Sequence, residues 1–134
     1  MKIGEARDHY MALLTIANKK LPVRLAYAVS RNIEKLRPEM ELSEKQRMNL
    51  CAECADKDQD GKPIVDERGN YQIAESRSEE FQAQFIELLE TEVTVDIMTV
   101  SPAVLDLIDS DRYDPLTPEQ ITGIWWMIRE DETC

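Results

Sequence analysis

"DKDQDGKPIVDERGNYQI", residues 56–73, decides how the rest of the chain is read. Its first twelve positions have the form of a calcium loop, with Asp56, Asp58 and Asp60 at positions 1, 3 and 5, Gly61 at 6 and Glu67 at 12. Calcium asks for about six to eight oxygens, and a helix must follow to hold the last carboxylate over the ion. Two features oppose that reading. Pro63 removes a backbone N–H where paired loops bond each other, and Arg68-Gly69-Asn70 favours a turn over a helix start. The competing reading takes Asp60-Gly61 and Gly69-Asn70 as turn signals around the short runs "KPIVD" and "YQI", which makes a β-hairpin. The hairpin is the reading carried forward, with a calcium site the outsider.

Upstream, Leu21, Leu25, Val29, Ile33 and Leu36 recur at helical spacing and predict a core stripe, with Pro22 at the helix start. Lys20, Arg24, Arg31 and Lys35 follow the same spacing on another face. Pro38 is expected to end or kink this helix. Ser43 and Gln46 form a plausible capping pair for a third helix reaching about Ala55, and one long kinked helix over 22–55 stays open. Before it, residues 5–18 predict a helix with Tyr10, Leu13, Leu14 and Ala17 on one face, and "MKI" a short edge strand.

Downstream, Ser76 and Glu79 form a capping box opening a helix with Phe81, Phe85, Leu88 and Leu89 on one face. "EVTVDI" alternates, with Val93, Val95 and Ile97 on one side, and predicts a half-buried strand over 92–98. Ser101-Pro102 and Thr117-Pro118 each place an N-cap before proline and open helices over about 102–109 and 118–129. Ile121, Ile124, Trp125 and Ile128 are expected on the buried face of the last. No internal repeat is read. The fold class expected is α+β: one domain over 1–134, mainly helical, with a small antiparallel β-hairpin or sheet.

At 134 residues, with 43% hydrophobic and 32% charged residues, the chain is of a size and composition that can bury a core. No apolar run approaches the ~18 residues of a membrane span. "MKIGEARDHY" lacks a secretory apolar stretch, and three cysteines fit reduced thiols better than a disulfide framework, so the setting expected is a cytosol. The net charge of −11 is uneven. Residues 1–37 carry eight Lys and Arg against three Asp and Glu, whereas residues 38–134 carry eight against twenty-four.

Cys51-x-x-Cys54 invites a redox or zinc reading, with His9 and Cys134 as distant further ligands. The pair falls inside a helix and lacks a second ligand pair nearby, so two small, partly buried residues are the expectation. His9 is the only histidine, no nucleophile elbow surrounds it, and no glycine-rich phosphate loop is present. The chain is therefore expected not to be an enzyme and to hold no cofactor or metal. The basic stripe could touch nucleic acid, but the acidic remainder repels a polyanion. It is expected to dock on that remainder or to solubilise its helix. Of Trp125-Trp126, neighbours about 100° apart on a helix, Trp125 joins the apolar face and Trp126 is left to a second element or an interface.

The segments "KKLPVRLAYAVSRNIEKL", "KDQDGKPIVDERGNYQI", "EEFQAQFIELLETEVTVDI" and "LTPEQITGIWWMI" together resemble an uncharacterised family of small phage and prophage proteins, over about residues 10–128. The resemblance implies a phage-encoded protein in a bacterial host cytoplasm, with the hairpin following a long helix. It implies no activity and no site residues.

These features point to a non-enzymatic binding protein that acts through its acidic surface. The candidate interface is Glu79, Glu80, Glu87, Glu90, Asp106, Asp109, Asp111 and Asp114, with Trp126 as an apolar anchor. The partner expected is a host or phage protein with a basic surface, with no direct nucleic acid and no membrane. One version mimics nucleic acid and inhibits a host defence complex; the alternative is an assembly or scaffolding factor of the virion.

Overall fold

The computed structural model describes residues 1–130. Five helices follow one another: α1 (Ile3–Ile16), α2 (Val23–Cys54), α3 (Ser78–Leu89), α4 (Ala103–Ile108) and α5 (Pro118–Ile124), with short 3₁₀ turns at Glu75–Arg77 and Trp125–Met127. The described residues are mainly helical, 59%, and have isolated bridges but no sheet. The expected α+β class, with its hairpin and its 92–98 strand, is therefore corrected to a helical fold tied by single bridges.

The 93–99 segment shows why no strand forms. Its alternation is real: Val93, Val95 and Ile97 are half-buried while Thr94 and Asp96 are exposed. Its partner, however, is a side chain. Asn32 of α2, completely buried, donates from Nδ2 to the Met98 carbonyl at 2.9 Å, and the Met98 N–H donates to Asn32 Oδ1 at 2.7 Å. One amide side chain thus satisfies the backbone pair that a neighbouring strand would have met. At either end the segment is pinned by lone pairings, Lys2 with Glu92 and Val100 with Ile128.

Residues 56–73 form two consecutive tight turns in place of one hairpin. The turns share one design, offset by eight residues from Asp58 to Asp66 and from Gly61 to Gly69, a repeat the sequence reading missed. In the first, Asp58 Oδ1 accepts the N–H groups of Asp60 and Lys62, each at 2.9 Å, and in the second Asp66 Oδ1 accepts those of Arg68 and Asn70 at 2.8 and 3.0 Å. Gly61 and Gly69 lie at φ +78° and +81°, a left-handed conformation that favours glycine. A ring of three backbone bonds joins the turns: Ile64 N–H to Asp56 O, Gln72 N–H to Ile64 O, and Asp56 N–H to Gln72 O. Because Asp56 takes the Ile64 N–H, no two of these runs extend into a ladder.

α2 runs unbroken through Pro38 for 32 residues, about 48 Å. Ser43 caps nothing; it is buried inside the helix, its hydroxyl donating to the Met40 carbonyl at 3.1 Å. Pro38 and Glu34 are both exposed, so water can meet the Glu34 carbonyl that the proline leaves without an N–H. The predicted stripe of Leu21, Leu25, Val29, Ile33 and Leu36 is buried throughout. It packs with Ala6, Leu13 and Ile16 of α1, with Val104 and Ile108 of α4, and with Ile124, Met127 and Ile128. Leu14 and Ala17, expected on the inner face of α1, are exposed. α5 packs closely on α1 because Gly123 faces Ala12: a Cβ on Gly123 would stand 3.1 Å from the Ala12 Cβ. The second half of α2 buries only Ser43 and, at its end, Leu50, Cys51 and Cys54. There α3 lies alongside with no fully buried residue of its own, and its predicted face of Phe81, Phe85, Leu88 and Leu89 is half-covered.

Candidate functional site

All eight carboxylates of the predicted acidic surface are exposed. They fall in two groups. Glu79, Glu80, Glu87 and Glu90 belong to α3 and its end, whose flank meets Gln46, Asn49, Leu50 and Glu53 of α2. Asp106, Asp109, Asp111 and Asp114 belong to α4 and the following turn, near the start of α2, where Asp114 meets Lys20. The two groups sit beside opposite ends of a helix about 48 Å long, so no single face holds them all.

Two members already have structural work. Asp114 Oδ2 accepts the Lys20 backbone N–H at 2.6 Å, and the Asp114 N–H donates to the Lys20 carbonyl at 2.9 Å. Glu80 takes a two-point hydrogen bond from Arg77 at 3.0 and 3.1 Å, and Arg77 also reaches the Glu53 carbonyl. Arg77 holds the Glu80 carboxyl below its ordinary range. The expected Ser76–Glu79 capping box is replaced by this Arg77–Glu80 pair, because a 3₁₀ turn shifts the helix start to Ser78. On α3, Glu79, Ile86, Glu87 and Glu90 share the outer face, with Ile86 54% exposed between the acids.

Trp126 meets a second element, one of the places expected for it, whereas Trp125 leaves the apolar face. Trp126 is half-buried, stacked on His9 with ring centroids 4.2 Å apart, and its Nε1–H donates to the Gly123 carbonyl at 2.8 Å. Trp125 is 58% exposed. The helix tightens to a 3₁₀ turn at Trp125, advancing about 120° per residue in place of 100°. Met127, not Trp125, therefore enters the core. Burial lowers the His9 pKa, outweighing the opposite pull of Glu5 and Asp8.

Cys51 and Cys54 are free and buried in the last turn of α2, and burial raises the Cys54 thiol pKa. Cys134, the third ligand of the zinc reading, lies outside the described residues. In the calcium reading the position-12 carboxylate, Glu67, sits in the second turn while the three aspartates precede or occupy the first, and Asp58 Oδ1 is taken by backbone N–H groups. Among the described residues no three His, Cys, Asp or Glu side chains are gathered to hold a metal ion.

A wide concavity lies elsewhere. Arg24, Tyr27 and Arg31 share one face of α2. Opposite runs the Asp96–Ser101 segment, with α4 and Arg129 beyond. Between them lie two adjoining hollows of about 1060 Å³ and 400 Å³, both bordered by Met98. Arg24 and Arg31 belong to the predicted basic stripe, yet none of Lys20, Arg24, Arg31 and Lys35 forms an ion pair with the acidic remainder among the described residues. The signal that could have located this groove was Tyr27 exposed between two arginines; Arg129 and Leu107 reach it only through tertiary packing. Comparison with known proteins gives no matching family model, no similar curated protein and no similar solved structure. No described helix is long and apolar enough to cross a membrane.

Proposed function

We propose that the chain is a non-enzymatic binding protein that docks the outer face of α3 onto a basic surface of a protein partner. The observation that carries this reading is the trio Glu79, Glu87 and Glu90, exposed on one helix and engaged in no ion pair among the described residues, on a chain of net charge −11. The trio spans about 16 Å of helix axis. That is sparser than the ~3.4 Å charge spacing of a single DNA strand, so affinity rests on Ile86 as well as on charge. A nucleic-acid-binding complex of a bacterial host is the partner class this face suits, and a phage origin in the host cytoplasm rests on the sequence resemblance alone. Asp106, Asp109 and Asp111 form a separate, secondary patch. The alternative role in virion assembly loses its anchor at Trp126 and would need Trp125 in its place.

The test is displacement of labelled duplex DNA from a panel of bacterial nucleic-acid-binding proteins. The parent should displace DNA at about 50 mM salt and lose that ability at a few hundred millimolar, as screening shortens the reach of surface charge. The variant Glu79→Lys/Glu87→Lys/Glu90→Lys should fail at both. Glu80 is left intact because Arg77 ties it into the fold. Equal displacement by parent and triple variant, or none by the parent at low salt, overturns the proposal.

A further inference from the structure

The groove beside α2 is built differently from the rest of this acidic surface. Arg24, Arg31 and Arg129 line it, against two carboxylates among the described residues, Asp96 and Glu130. None of the three arginines is in an ion pair among the described residues. Met98, Val100 and Val104 supply apolar lining. Along the rim Tyr27 is 55% exposed and Leu107 54%. Exposed Arg and Tyr around an apolar hollow is the composition from which binding hot spots are drawn.

The backbone of the facing wall adds a second kind of contact. Asp96, Ile97 and Thr99 use neither their N–H nor their carbonyl groups among the described residues. Ile97 and Thr99 flank Met98, whose groups meet Asn32, so in an extended segment their donors and acceptors share the opposite edge.

We propose that this groove binds an extended, acidic peptide segment of a partner protein. The arginines choose the sign of the ligand. The wall chooses its class, because a polypeptide returns both donors and acceptors, whereas a phosphodiester chain returns only acceptors. A long polyanion would also meet the repulsion of a chain at −11, while a short segment with a few carboxylates would meet chiefly the local arginines. Its apolar side chains would fill the hollow over Met98 and Val104. This surface is distinct from the outer face of α3, and the two proposals stand or fall separately.

The probe is a displayed pool of twelve-residue peptides with Asp or Glu at every second position and random residues between. A matched pool with Lys at those positions is the control, and a twelve-nucleotide single-stranded DNA tests the other polymer. The acidic pool should enrich binders and the Lys pool none. A peptide so selected should lose about tenfold or more in affinity on Arg24→Glu or Arg129→Glu, the scale of a lost charge pair at an interface. Bound peptide should slow hydrogen exchange at the amides of Ile97 and Thr99, which a ligand held by arginines alone would not do. Both arginines are exposed and in no ion pair among the described residues, so circular dichroism should show the variants folded; Arg24→Gln and Arg129→Gln serve if they are not. The proposal is overturned if the acidic pool enriches no more than the Lys pool, if the arginine variants bind like the parent, or if the DNA binds while the selected peptides leave Ile97 and Thr99 unprotected.

Discussion

Asn32 closes the hydrogen bonds of the Met98 backbone with its side-chain amide. It lies at a position of α2 between the buried Val29 and Ile33, and its bonds to the Met98 backbone and to the Met127 sulfur account for a polar residue there. Asn32→Ala should cost about 2–3 kcal/mol, because it strands a part-buried backbone N–H and carbonyl together; urea unfolding measures it. His9 gives a second residue-scale test. Its folded pKa lies below the ordinary 6.5 because its ring is partly buried against Trp126. The unfolded chain then binds more protons as pH falls through 6.5, so the contribution is intact above that value and is lost as pH drops through the folded pKa. Thermal melting should therefore show stability declining below pH ~6.5. His9→Phe, which keeps a ring on Trp126, should flatten that decline. Glu44 and Glu80, both held below 4.5 by arginine hydrogen bonds, act only at lower pH and do not confuse the window.

Among the elements, the two turns of residues 56–73 and the helix α3 invite the sharpest tests. Gly61 and Gly69 occupy the same left-handed position in successive turns, and neither would clash with an added Cβ. The cost of alanine there is conformational alone, about 1–2 kcal/mol each. Gly61→Ala and Gly69→Ala should cost alike, and the double variant should show whether the shared hydrogen-bond ring couples the turns beyond simple addition. For the helices, Leu36 is fully buried, while Phe85 is only half-covered and faces Arg7 at 5.9 Å. Leu36→Ala should cost about 2–5 kcal/mol, and Phe85→Ala clearly less, as read from denaturation midpoints. An equal loss would mean that the inner face of α3 is covered in solution. The periodicity of α3 was legible in its phenylalanines and leucines. How fully a neighbour covers that face is not written in the period.

At the scale of the molecule, burial is divided unequally along α2. Its first half joins α1, α4 and the 124–128 segment in one core, and its second half holds α3 and the paired turns with far fewer buried contacts. Hydrogen exchange should follow that division, with amides of residues 25–36 protected longer than those of 39–49 and 79–89, since local opening is easiest where little apolar surface is buried. Uniform protection along α2 would contradict it. The sequence by itself determined the helices and the stripe from Leu21 to Leu36, because helical spacing of apolar residues is a local property that burial rewards wherever the partner comes from. It also determined the exposure of Glu79, Glu87 and Glu90, for charge seeks water in any fold. The tertiary structure alone decided that the alternating segment after Glu92 would be met by the Asn32 side chain instead of a strand. It decided that the acids would split between two ends of α2, that Trp126 and not Trp125 would turn inward, and that Arg129 would join Arg24 across a groove. Each depends on contacts between residues distant in the chain, and a period or a motif carries no information about which distant partner will arrive.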